Sequence, residues 1–226
     1  MNWWVHNLWS SEPALLVSWV VWVIGSIVLH ELAHGWAAIR VGDRTPVETG
    51  HMTWNPLVHM GGFSLIVFAV VGIAWGMMPV NPSRMRGRHA EALVALAGPA
   101  MNLVLAVVAM ALGLVWMGVG GGHWIPGVQA DQPLYANMQI FFRAGVFLNV
   151  LLMVFNLMPI PPLDGSRVIA HYSPGYRAFF ESENGRWVGM GLFVLLFFFG
   201  FDLIIGRVIG WTTDVWQMLA GMLGLT

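Results

Sequence analysis

Long uncharged stretches alternate with short polar ones along this chain, and the alternation predicts its elements. Pro13 stands behind Ser11 and Glu12, where an early helical proline is favoured, so a first apolar helix is expected from about Pro13 to Ile39 or Arg40, ahead of Gly42. No charged residue occurs between Glu48 and Arg84, and the most apolar part of that interval, 61–78, is interrupted by Gly72 and Gly76. Residues 92–130 are again uncharged; 92–117 reads as a helix with Gly98-Pro99 inside it, followed by a loop over 118–127. A further helix is expected over about 140–157, ended by Pro159, Pro161 and Pro162. The last apolar segment spans 187–205, and 206–226 suits another short or interfacial helix. Within 45–54, Pro46 and Gly50 flank β-favouring Val, Thr and Trp, which predicts a short surface β-hairpin.

Composition turns these runs into membrane segments. The chain is 58% hydrophobic and 9% charged, against about 25% charged in soluble domains, and a bilayer crossing takes roughly 20 apolar residues. The expected fold is an all-α polytopic membrane protein with about 4–6 transmembrane helices, a re-entrant segment and the hairpin at the cytoplasmic surface. Trp3, Trp4 and Trp9 suit the membrane interface. Residues 1–11 carry no Arg or Lys, so the first helix is expected to stay rather than be cleaved as a signal peptide. One domain over 1–226 is expected, with its core at about 13–170 and a membrane segment at 187–226. A net charge of -1 without any Lys excludes nucleic acid as partner. There is no Cys, so any metal must be held by His and carboxylates.

HELAH at 30–34 supplies such a chemistry inside the first helix. Four residues turn a helix by about 400°, placing His30 and His34 on one face, one turn apart. That spacing suits zinc chelation, with Glu31 beside the pair as a general base that does not ligate. A carboxylate in a bilayer helix costs roughly 2.5–3.5 kcal/mol on insertion scales, so its presence marks a function. Catalytic zinc usually takes three protein ligands and an open position. Histidines 6, 51, 59, 89, 123 and 171 are available as the third ligand, but Asp164 in NLMPIPPLDG (156–165) is the strongest candidate. Broken backbone at membrane depth is tolerated where it lines a polar or protein-buried cavity.

Three motifs in order, HELAHG (30–35), AGPAMN (97–102) and NLMPIPPLDGSRV (156–168), resemble the site-2 protease family of intramembrane zinc metalloproteases. GHMTWNPLVH (50–59) and VNPSRMR (80–86) further resemble its short bacterial and archaeal branch without a PDZ domain. The likeness covers roughly 24–170. It implies a Zn2+ cofactor on His30, His34 and Asp164, water activation by Glu31, and a transmembrane protein substrate cut in or near its membrane segment. Asn156 matches a family Asn associated with substrate or oxyanion binding, and Asn102 follows Gly98 by one turn; an amide at either position can donate to an oxyanion. Surface strands like the predicted hairpin are associated in the family with pairing to an unwound substrate. The chain departs from the pattern at Ser166, where Gly is common, and at Met60-Gly61-Gly62, where Asp-Pro commonly follows the His.

A parity argument fixes the expected topology. His34 lies six residues, about 9 Å, before the helix end at Arg40, and Asp164 also follows the end of its helix. A shared metal therefore requires an even number of crossings between them. Helices 92–117 and 140–157 supply two, so 61–78 should return to its starting surface, broken near Gly72 or Gly76. Arg40, Arg44, Arg84, Arg86, Arg88, Arg167, Arg177 and Arg186 then share one side, which the positive-inside rule makes cytoplasmic. The expected location is a prokaryotic cell membrane, with the site nearer the cytosol. His59 suits either a donor role at the site or a plain interfacial position. Two rivals remain at this level: a divalent metal-ion transporter, for which intramembrane His and carboxylates are also expected, and an inactive relative that only binds membrane helices. No feature of the chain sets an oligomeric state.

Overall fold

A computed structural model describes residues 4–120 and 133–225. Helices α1 (Trp4–Ser11) and α2 (Pro13–Arg40) meet at Glu12, with Pro13 opening α2 as its missing N–H allows. A single turn, α3 (Thr45–Glu48), precedes α4 (Pro56–Val71); α5 (Ala90–Gly120) and α6 (Pro133–Asn156) follow. The carboxy-terminal part holds α7 (Asp164–Tyr172), α8 (Pro174–Glu181), α9 (Glu183–Leu195), a π-helical turn at Leu196–Gly200, and α10 (Phe201–Met222).

Three helices, α2, α5 and α6, are long and apolar enough to cross a membrane, and α9 with α10 makes a fourth if that pair, bent by 58°, is one span. Three falls short of the expected 4–6, and four, with the bent pair counted, meets its lower bound. The three long helices pack on one another through glycines. A side chain at Gly145 of α6 would overlap the Trp22 indole of α2, whose Nε1 donates to Phe141 O at 2.8 Å. Gly113 of α5 likewise leaves room for Trp216 of α10. Leu103, Val104, Val107, Leu112 and Val115 remain exposed on α5, an apolar face suited to lipid rather than water.

Between α2 and α5 the chain goes out and comes back. Asn55 caps α4 by accepting from Leu57 N, and Gly61 (φ 67°) breaks the helix after its first turn. The ten residues beyond that kink rise only about 15 Å, half a hydrocarbon core. Gly72 (φ 84°) ends α4 in the left-handed conformation that favours glycine. The returning stretch is extended: Trp75 N donates to Ser64 Oγ, which donates to Trp75 O, and Met77 N reaches His59 O at 2.9 Å. Residue 77 thus lies beside residue 59, and the turn falls at Gly72.

Several expectations require correction. No strand occurs among the described residues, so there is no β-hairpin at 45–54. Instead Asp43 accepts from both Thr45 N and Thr45 Oγ1, and Pro46 occupies an early helical position, which closes the helical turn α3. Helical backbone starts at Glu183 under the Ser182 cap, and the last apolar stretch breaks at Leu196–Gly200 rather than at 206, where the helix widens to a π-turn before α10. Residues 118–120 of the expected loop belong to α5; 121–127 lie outside the described residues. Helix α6 begins at Pro133, earlier than the uncharged run indicated.

Candidate metal centre

Helix α2 brings His30 and His34 to one face, with ring centroids 4.7 Å apart and planes at 78°. The Pro-rich turn after α6 delivers the third group. Leu163 N bonds Ile160 O, Ser166 Oγ bonds Leu163 O, and Gly165 packs so closely on the Leu157 carbonyl that no Cβ would fit. Asp164 thereby opens α7, where a carboxylate also meets the positive end of the helix dipole. Arg177 (2.5 Å) and His171 (3.7 Å) both pair with Glu91, which ties α7 and α8 to the start of α5.

The three donor atoms form a tight triangle: His30 Nε2 to His34 Nε2 is 3.0 Å, and Asp164 Oδ2 lies 3.1 and 3.3 Å from them. Tetrahedral zinc ligands at about 2.0–2.2 Å stand roughly 3.3–3.5 Å apart, close to these spacings. Both histidines are 7% exposed and the Asp164 side chain 12%. Each imidazole is held from behind, His30 Nδ1 by Asn102 Oδ1 at 2.6 Å and His34 Nδ1 by Val94 O at 2.7 Å, which leaves both Nε2 atoms for a metal. The space before them is kept open by Gly98 of α5, where a Cβ would overlap both Nε2 atoms. The donor set and this cradle fit zinc.

A model of peptidase family M50 matches residues 18–131 and 122–199. The chain belongs to peptidase family M50. Its relatives include two named as putative zinc metalloproteases, YwhC of Bacillus subtilis (strain 168), 35% identical over 83% of this chain and 81% of the relative, and Rip2 of Mycolicibacterium smegmatis, 33% identical over 62% of this chain and 51% of the relative. MJ0611 of Methanocaldococcus jannaschii, named in the same way, is 29% identical over 65% and 66%. No solved structure gives a significant match. As an M50 peptidase with three or more apolar helices, the chain is a multi-pass intramembrane zinc metalloprotease.

The structure brings His30, His34 and Asp164 together as a group able to hold a metal. Glu31 is buried beside them, and its Cγ and Oε1 would each lie 2.7 Å from a Cβ at Gly76, so the extended return after α4 lies against it. Asn102 and Asn149 are fully buried and linked, Asn102 Nδ2 donating to Asn149 Oδ1 at 3.1 Å. Asn156 ends α6, and its amide nitrogen donates to Leu152 O at 3.0 Å. His59 is buried, with Nε2 at 2.7 Å from Thr53 O. His51 bonds Thr49, His6 lies on α1, His171 pairs with Glu91, and His89 meets the His171 ring edge-on; His123 lies outside the described residues. Sequence reasoning missed Val94 O, Gly98 as a cradle, Gly76 and Asn149. Asn149 did carry a signal, as an amide inside an apolar helix.

Proposed function

We propose that His30, His34 and Asp164 hold the zinc and that Glu31 is the general base in hydrolysis of peptide bonds in or near the transmembrane segments of other proteins. The observation that carries this reading is the 3.0–3.3 Å triangle of donor atoms with Glu31 next to it on the same helix. Zinc, when bound, supplies Lewis acidity, lowering the pKa of water and polarising the scissile carbonyl. Glu31 takes the proton of the attacking water and returns it to the leaving nitrogen. Burial at this depth excludes bulk water, and the amide of Asn156, released from Leu152 O, assists substrate or oxyanion binding.

In this reading the segment 61–78 is re-entrant and the site opens toward the cytoplasm of a prokaryotic cell. Support comes from bonds that hold the Arg-bearing segments together: Arg86 N to Val41 O, Arg84 to Glu48 and Arg177 to Glu91. The prokaryotic sources of the named relatives agree with it. The chain acts as one domain, in contact with the bilayer and with a transmembrane protein substrate.

The test is zinc content and cleavage of a reporter transmembrane peptide by detergent-purified protein. Wild type is expected to hold one zinc and cut; Glu31→Gln should keep zinc without cutting, and Asp164→Ala should lose or weaken zinc. Cleavage by Glu31→Gln would overturn the mechanism.

A further inference from the structure

We infer that Asn149 is a positioning residue for the metal centre: through Asn102 it fixes which nitrogen of His30 carries the proton. The inference rests on the proposed ligand role of His30. Its origin is a backbone carbonyl, Gly145 O, which can only accept a hydrogen bond. Asn149 Nδ2 lies 2.9 Å from it and must be the donor, so Asn149 Oδ1 faces the other way. There it accepts from Asn102 Nδ2 at 3.1 Å, which turns Asn102 Oδ1 toward His30 Nδ1, 2.6 Å away. An oxygen at that distance requires Nδ1 to hold the hydrogen. Nε2 then presents its lone pair to the metal.

Each link has one allowed polarity, and both asparagines are 0% exposed, so water does not compete for their atoms. His34 needs no relay, since Val94 O meets its Nδ1 directly. The α2–α5 face offers His30 an amide, which could present either end, and the amide's orientation has to be set from α6. Gly145 also contributes by its missing side chain, since that absence lets Trp22 seat α2 against α6. The same chain takes one of the two amide hydrogens of Asn102.

The experiment measures zinc affinity by chelator competition on the folded, monodisperse fraction of the full chain, beside thermal unfolding of the metal-free form. Outer partners of metal-bound histidines are worth about 10–100-fold in affinity, and a loss in that range is expected for Asn149→Leu. Asn149→Ser is the variant expected to fold well, because its hydroxyl bonds its own Gly145 O while failing to reach Asn102; it should show the same loss. Asn149→Asp, measured at a pH where this fully buried carboxyl is protonated, donates its O–H to Gly145 O, still presents its other oxygen to Asn102 Nδ2, and should restore affinity to within about threefold of wild type. Wild-type affinity in Asn149→Ser, or a loss in Asn149→Asp equal to that in Asn149→Ser, would overturn the relay and leave Asn149 as interhelical glue. Wild-type affinity in His30→Ala would instead overturn the ligand assignment itself.

Discussion

Replacing Gly98 by Ala tests the metal position more directly than replacing a proposed ligand, because it keeps all three candidate ligand side chains. The added methyl would stand 2.5 Å from His30 Cε1 and overlap both Nε2 atoms. Ordinary contact between carbons is about 3.5–4.0 Å, so α5 and α2 must part by about 1 Å or the imidazoles must swing by as much. Metal–ligand distances tolerate about ±0.2 Å, a fifth of that displacement. The fold is expected to absorb the methyl at the usual cost of overpacking, about 1–3 kcal/mol, while zinc affinity falls at least 100-fold, about 3 kcal/mol. Chelator competition on the monodisperse variant reads the affinity, and thermal unfolding of the metal-free form reads the fold. A Gly98→Ala protein that binds one zinc with wild-type affinity would refute the cradle, since the metal would then lie on another side of the triangle.

Two further outcomes follow from the same geometry. Gly76→Ala should retain zinc yet lose at least tenfold in cleavage of a transmembrane reporter, because its Cβ would sit 2.7 Å from the Glu31 carboxylate and displacements near 1 Å can cost about 100-fold; an unchanged rate would detach the return segment from the reaction. Burial acts to raise the carboxyl of Asp43, but hydrogen bonds from the Thr45 hydroxyl, Asn81 N and Thr45 N outweigh it and hold the group below the ordinary aspartate value. The stability it contributes is therefore complete above about pH 4 and lost as pH falls through the lower folded value. Acid melting between about pH 2 and 5 should be shallower in Asp43→Asn than in wild type, and parallel curves would count against the assignment.

What could be read before the structure was known followed from local periodicity and chain breaks. The helical period alone put His30 and His34 on one face, and the prolines after Asn156 located the break that delivers Asp164. The parity of crossings led to a segment that comes back between Gly61 and Met78, a reading that the bond from Met77 N to His59 O supports. Residues whose roles depend on a distant partner were not legible. Gly98 was legible only as part of a Gly-Pro pair inside a helix and of the AGPAMN motif, yet its importance lies in the two imidazoles of α2 above it. Thr45 and Val47 have β propensity, which Asp43 overrides by accepting from Thr45 N and Thr45 Oγ1 at the start of a helical turn. The orientation of Asn102 is decided on α6, in a segment whose sequence says nothing about α5.

His30 and Asp164 lie 134 positions apart, and the stretch between them contains both transmembrane helices of the α5–α6 pair and the doubled-back α4. Their donor atoms meet only when each of these has entered the bilayer in the right sense. A chain that inverts α5–α6 during synthesis, or drives α4 through to the far surface, strands its carboxylate across the membrane from its imidazoles. On the proposed ligand set, a peptidase built this way can complete its metal site only after the helices between its ligands have been inserted.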